Sequence, residues 1–194
     1  MTRVAVLAAA LFAFAAQAAV PRCAGVLAHA LDADAAWTLE RFVPGLPAPL
    51  VSTGVVSCCA GSGIVWRVES PFFSEVRMLG DAMVFSDEDG VRRKTAKELP
   101  QYDRIRRQTD AFLAGDAHAF DGAFDLRACD TADGWTLTLE PAVGAMKRLF
   151  AKVELAGGER LESVTLKTAD GGESRIRFSG HAQGAHGLWK EARP

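Results

Sequence analysis

No excess of basic charge is present in this chain. Its 22 Lys and Arg face 24 Asp and Glu, a formal net charge of −2 with histidine neutral. That balance speaks against a dedicated nucleic-acid binder. Histidine is scarce and scattered. His29, His118, His181 and His186 have no carboxylate or thiol at ligand spacing, so no metal centre is expected. A C-x-x-C pair is missing, as is a G-x-S-x-G nucleophile elbow. Ser62 lies in "GSG", but in a hairpin rather than on a strand-to-helix turn. The acidic "SDEDG" (86–90) is too short for a calcium loop and reads as a solvated turn. With no nucleophile–base arrangement legible, the expectation is a non-enzyme that needs no cofactor. No internal repeat is visible, and no apolar run is long enough to span a bilayer.

What is present begins with the N-terminus, "MTRVAVLAAALFAFAAQAAV". Arg3 supplies a positive n-region, Val4 to Ala15 an apolar h-region, and Ala16-Gln17-Ala18 a small-x-small cleavage site. Residues 1–18 read as a secretory signal peptide, leaving 19–194 as one exported domain. Cleavage removes one Arg, so the mature charge is 21 − 24 = −3. The "VPR" before Cys23 is unlike the small residues that precede a lipidated cysteine. Four cysteines, Cys23, Cys58, Cys59 and Cys129, suggest two disulfides in an exported chain, with three possible pairings. Adjacent Cys58 and Cys59 on a strand point to opposite faces, so each is expected to reach a distant partner.

Periodicity gives the rest. Leu27 and Leu31 mark a short helix from Pro21 to about Ala35, closed by Asp32-x-Asp34. A strand near Trp37–Phe42 is followed by Pro44, Pro47 and Pro49, which make a connector. Strands are then predicted over Val51–Cys59, Ile64–Glu69 and Ser74–Leu79, and again around Met83 and Phe85. From "RRKTAKELPQYDRIRRQTDAFLAGD" the period changes. Leu99, Tyr102, Ile105, Thr109 and Phe112 recur every three or four residues, as on an amphipathic helix ended by Gly115. Its basic cluster of Arg92, Arg93, Lys94, Arg104, Arg106 and Arg107 is read as a solvated helix face. Strands resume at Phe124–Leu126, Trp135–Leu139, Leu149–Leu155, Val164–Leu166 and Ile176–Phe178, with hairpin turns at Asp133-Gly134, Gly157-Gly158 and Gly171-Gly172.

About nine amphipathic strands and only two helices constrain the architecture. Two packed sheets would leave the central helix unexplained. One unclosed, strongly curved antiparallel half-barrel, with helices covering its concave face, uses every element. Two short helices fill such a face only in part, and the remaining apolar cavity is a binding site by default.

The order of elements resembles the LolA family of periplasmic lipoprotein carriers. In "GIVWRVESP", Trp66 and Pro71 match the Trp and Pro that follow the family's second strand. Gly54 in "STGVV" matches the glycine of the preceding strand, and "GWTLTLEP" (134–141) the later strand ending in proline. The likeness covers most of the mature chain. It departs where LolA has an Arg-Pro pair before the Trp, with an Arg that helps hold the lid closed; here the stretch reads "CCAGSG". That marks a divergent branch.

The resemblance implies an unclosed barrel with helices as a lid. It also implies a periplasmic carrier that shields acyl chains of lipoproteins or related lipids between the inner and outer membranes. Its partners would be the acylated cargo and, transiently, an inner-membrane donor and an outer-membrane acceptor; a monomer suffices. The cavity is expected from Ile64, Trp66, Val68, Val76, Met78, Phe85, Trp135, Leu137 and Leu139, and the lid from Tyr102, Ile105 and Phe112. The alternative is a lipid-binding sensor or scaffold of the same fold. Such proteins usually carry a second domain, for which this length leaves no room.

Overall fold

The period-2 writing is realised as eleven β-strands hydrogen-bonded into a single sheet. The computed structural model describes residues 34–59, 63–99, 102–103, 106–107, 122–131 and 134–180. The strands are β1 (Asp34–Phe42), β2 (Leu50–Cys59), β3 (Gly63–Ser70), β4 (Ser74–Leu79), β5 (Ala82–Asp87), β6 (Gly90–Thr95), β7 (Phe124–Thr131), β8 (Gly134–Pro141), β9 (Phe150–Gly157), β10 (Leu161–Thr168) and β11 (Glu173–Ser179). A four-residue helix, α1 (Gly144–Lys147), sits in the β8–β9 connection.

The spatial order is β6-β5-β4-β3-β2-β1-β11-β10-β9-β8-β7, with every neighbouring pair antiparallel. Two meanders, β1–β6 and β7–β11, are thus joined through the central β1–β11 pair. β6 and β7 remain as edges, so the sheet does not close. Tight connections follow from turn chemistry. Gly90 (φ 129°) ends the Asp87–Gly90 hairpin, and Gly171 (φ 88°) the β10–β11 turn, both in the left-handed region that glycine tolerates.

Three expectations need correction. Arg92, Arg93 and Lys94 belong to edge strand β6 rather than to a helix. Arg92 pairs with Asp87 and Arg93 with Asp81 (3.0 Å), and an edge strand accepts such charge readily. The chain turns helical only after Thr95. That residue receives the Glu98 carboxylate on its backbone N–H (2.8 Å), as in a capping box. Asp34 and Ala35 open β1 instead of closing a helix; the rest of that expected helix, and the signal peptide, lie outside the described residues. Among the described residues, helix is limited to α1 and to Tyr102–Asp103 and Arg106–Arg107, so a helical cover over the concave face is not part of the described structure.

Side chains that touch across several strands show which face is concave. Trp66 of β3 meets Phe178 of β11 edge-on at 6.4 Å, although β2 and β1 lie between them. Ile64 of β3 packs against the Trp135–Leu137–Leu139–Val153–Leu155 cluster of β8 and β9. A flat sheet, with strands about 4.8 Å apart, holds such residues well out of reach. The right-handed twist and coiling of a many-stranded sheet bring them together.

Candidate functional site

Register rows place one continuous apolar set on the inner face. Across β5, β4, β3 and β2, Phe85, Val76, Trp66 and Val56 fall in one row, and Met83, Met78 and Ile64 of β5, β4 and β3 in the next. On the other wing, Leu126, Leu139, Val153 and Leu166 form a row across β7 to β10. Leu137, Leu155, Val164 and Ile176 form another, which reaches Leu39 of β1.

The two wings differ in packing. Trp135, Leu137, Leu139 and Leu155 are each 4% exposed or less and pack on one another as a dry core. The indole N–H of Trp135 donates to the Gly158 carbonyl at 2.8 Å, so its one polar atom is satisfied. On the β3–β5 wing, Ile64, Trp66, Val68, Val76, Met78, Met83 and Phe85 are all only half-buried. The expected cavity set therefore splits. Trp135, Leu137 and Leu139 stand in the dry core, whereas Ile64, Trp66, Val68, Val76, Met78 and Phe85 form a half-buried apolar strip.

An aromatic group bounds that strip toward the centre of the sheet. The rings of Trp37 (β1) and Trp66 stack at 4.7 Å with 22° between planes, and Phe178 closes edge-on. Gly54 makes the stack possible. A Cβ there would lie 2.7 Å from Cζ2 of Trp37 and 1.9 Å from the Arg67 carbonyl oxygen. Trp37 is buried, and its indole N–H has no hydrogen-bond partner among the described residues. The strip offers dispersion and burial, and methionine supplies adaptable contact. Among the described residues, the carboxyls held below their ordinary range, Glu98 and Asp170, lie in turns. Backbone and hydroxyl donors of Thr95 lower Glu98; the Thr168 hydroxyl, then the Gly172 N–H, lower Asp170.

Of the expected lid, Tyr102 is buried and its hydroxyl donates to the Ala82 carbonyl at 3.0 Å, tying the chain after β6 to the start of β5. Ile105 and Phe112 lie outside the described residues. Cys58 and Cys59 end β2 and Cys129 lies in β7; their side chains, and Cys23, lie outside what is described. The opposite face carries the polar packing. Glu75 is 2% exposed and is gripped by Arg67 (2.6 Å) and Arg77, while Ser57 donates to Asp34 in the buried neighbouring row.

Sequence reasoning placed Trp37, Met83 and Phe178 on strands but not at the site. Their alternation was legible. Trp37 and Met83 reach the strip through the sequential hairpins of β1–β5, whereas the proximity of Phe178 to Trp66 depends on the β1–β11 pairing, which carries no local signal.

The model of the family described as outer membrane lipoprotein carrier protein LolA-like matches residues 25–193. No curated protein matches the chain in sequence. A crystal structure of a LolA superfamily protein from Nitrosomonas europaea is similar at 13% identity and a TM-score of 0.42, covering 80% of this chain and 90% of that one. The complex of MucA and MucB from Pseudomonas aeruginosa is similar at 15% identity and a TM-score of 0.47, covering 82% of this chain and 56% of that one. By the family match over nearly its whole length, the chain belongs to the LolA-like family of outer membrane lipoprotein carrier proteins.

Proposed function

We propose that this protein is a periplasmic carrier that shields the acyl chains of lipoproteins or related lipids during transfer from the inner to the outer membrane. The observation that carries the reading is the uneven packing of the inner face. The β8–β9 strands hold a dry cluster, with Phe124, Leu126, Val164 and Leu166 half-buried at its margin, while on the β3–β5 wing all seven large apolar side chains of the strip stay half-buried. A stable domain gains by burying such residues, at roughly 0.8 kcal/mol per CH₂. Leaving a whole strip unfinished is the cost of keeping a surface free for a guest.

The carrier mechanism follows from that surface. Ile64, Trp66, Val68, Val76, Met78 and Phe85 hold acyl chains by contact alone, so binding is non-directional and tolerant of chain length. Few polar anchors means cheap release, which a shuttle needs. Tyr102, Ile105 and Phe112 are assigned to the cover, with Tyr102 as its fixed end. Cargo is collected from an inner-membrane donor and passed to an outer-membrane acceptor, the protein itself working as a monomer with no cofactor.

Mass spectrometry of an organic extract of the protein purified from periplasm tests this. Stoichiometric lipid or acylated peptide is expected, together with uptake of a fluorescent fatty acid. Trp66→Asp should fold yet lose at least about tenfold in probe affinity, since a charge cannot be left in an apolar site. A clean extract from a protein that takes up no probe rejects the carrier reading.

A further inference from the structure

Buried polar atoms in a folded chain are nearly always paired, and one that is not calls for a reason. The indole N–H of Trp37 is such an atom. Trp37 is 2% exposed, and its Nε1 is buried with no hydrogen-bond acceptor among the described residues. The dry cluster treats the same chemical group differently, since the Trp135 indole donates to the Gly158 carbonyl at 2.8 Å. The paired indole thus belongs to the packed wing, and the unpaired one borders the half-buried strip.

Ring geometry aims the N–H at that strip. Cζ2 of Trp37 lies over Gly54, 2.7 Å from where a Cβ would stand. Cζ2 and Nε1 are both bonded to the bridgehead Cε2, so the N–H leaves the ring along the same edge. In the register Gly54 is flanked by Trp37 of β1 and Val68 of β3. The edge that carries the donor therefore lies over β2 on the inner face, beside Val68 and the Trp66 ring stacked at 4.7 Å. A side chain at position 54 would fill the space that keeps this edge open to the inner face.

The surroundings restrict which acceptor suits it. In the rows of Trp37 and Trp66 across β11, β1, β2 and β3, the neighbours are Phe178, Gly54, Val68, Ala35 and Val56. None of them carries a charge. An ionised carboxylate brought here would be desolvated with no cation beside it. A neutral carbonyl costs far less to desolvate and gains the donor that a hydrocarbon leaves unpaired. A carbonyl at the head of a long alkyl chain meets both demands of the face, which is the chemistry of an acyl ester or amide.

We infer that Trp37 is the polar anchor of the inner face, donating its indole N–H to the carbonyl of a neutral acyl ester or amide. The alkyl chain of that guest lies along Trp66, Val68, Val76, Met78 and Phe85. The inference rests on the carrier reading and adds to it a preferred class of guest.

Three guests of equal chain length test it on the purified protein: methyl laurate, N-methyllauramide and dodecane, each competing with the fluorescent fatty-acid probe. The ester and the amide are expected to bind roughly tenfold more tightly than dodecane. They should move the Trp37 Nε1–H resonance downfield, whereas dodecane should not. The stretch of an isotope-labelled ester carbonyl should fall in frequency on binding. Trp37→Phe keeps a ring against Trp66 and should bring ester and amide to the level of dodecane. Resonance and carbonyl stretch are read on the unaltered protein, so the test survives a variant that fails to fold. A shift with either carbonyl guest supports the anchor, the ester standing for a glycerolipid-type acyl group and the amide for an N-acylated one. Equal affinity for all three guests overturns the anchor and leaves the carrier reading in place. So does a Trp37 N–H that ester and amide leave unmoved, or that is already hydrogen-bonded in the guest-free protein. Uptake of none of the three overturns both.

Discussion

Gly54 shows how much one residue without a side chain can determine. Its missing Cβ is the space in which the Trp37 indole lies, and that indole is the platform on which Trp66 stacks. Gly54→Ala must displace the Arg67 carbonyl as well as the ring, and a backbone contact cannot rotate away. The substitution is expected to cost about 3 kcal/mol, read as a lowered urea midpoint, with a shifted tryptophan emission. Asp170 gives a residue-scale test in pH. Its carboxylate accepts from the Thr168 hydroxyl and the Gly172 N–H, which hold its pKa below the ordinary aspartate value. Because the folded value is the lower one, the turn's contribution is complete above the unfolded pKa and is lost as pH falls through the depressed one. NMR titration should place the Asp170 midpoint below that of a free aspartate, and Thr168→Ala should move it upward.

At the scale of elements the wings of the inner face make opposite demands. Leu137 is 1% exposed inside the dry cluster, whereas Met78 in the strip is half-buried. Leu137→Ala is expected to cost about 3 kcal/mol. Met78→Ala should cost about 1 kcal/mol or less, because little packing is lost where little was made. Denaturant unfolding of the two variants separates the wings, and acyl-probe affinity should respond to Met78 more than its stability does. This contrast was only half legible in the sequence. Alternation assigned Ile64, Trp66 and Val68, and Trp135, Leu137 and Leu139, to one-sided strands, and the hairpin turns were placed by their glycines. Alternation cannot say whether the residue across the sheet fills the gap, since that depends on curvature. The β6 error has a similar origin. Arg92, Arg93 and Lys94 were absorbed into the helical pattern that follows, although the Asp89-Gly90 turn before them already favoured a hairpin.

For the whole molecule, the sheet order was the part least open to sequence reasoning. Each hairpin is local, but the strand that joins the two meanders finds its partner at the far end of the chain. In the register, Trp37 lies opposite Phe178 and Glu40 opposite Arg175, and Arg177 reaches Glu40 at 3.1 Å. No turn residue or spacing announces such a pairing, so an open half-barrel could be inferred only from the count of one-sided strands. The family match then stands on firmer ground than any single motif, because it spans both meanders.

The β1–β11 seam also has a consequence in time. Until β11 pairs with β1, two separate meanders each present an apolar face, and the concavity between them does not exist. The concave face is therefore complete only once the last-made strand has found its partner. Long-range closure of this kind is slow relative to hairpin formation. Refolding followed by tryptophan fluorescence should show the Trp37–Trp66 stack forming with the first meander and a later change as Phe178 closes on Trp66, and Phe178→Ala should remove that later change while leaving the earlier ones in place. The same seam that builds the concave face is thus what makes it slow to finish.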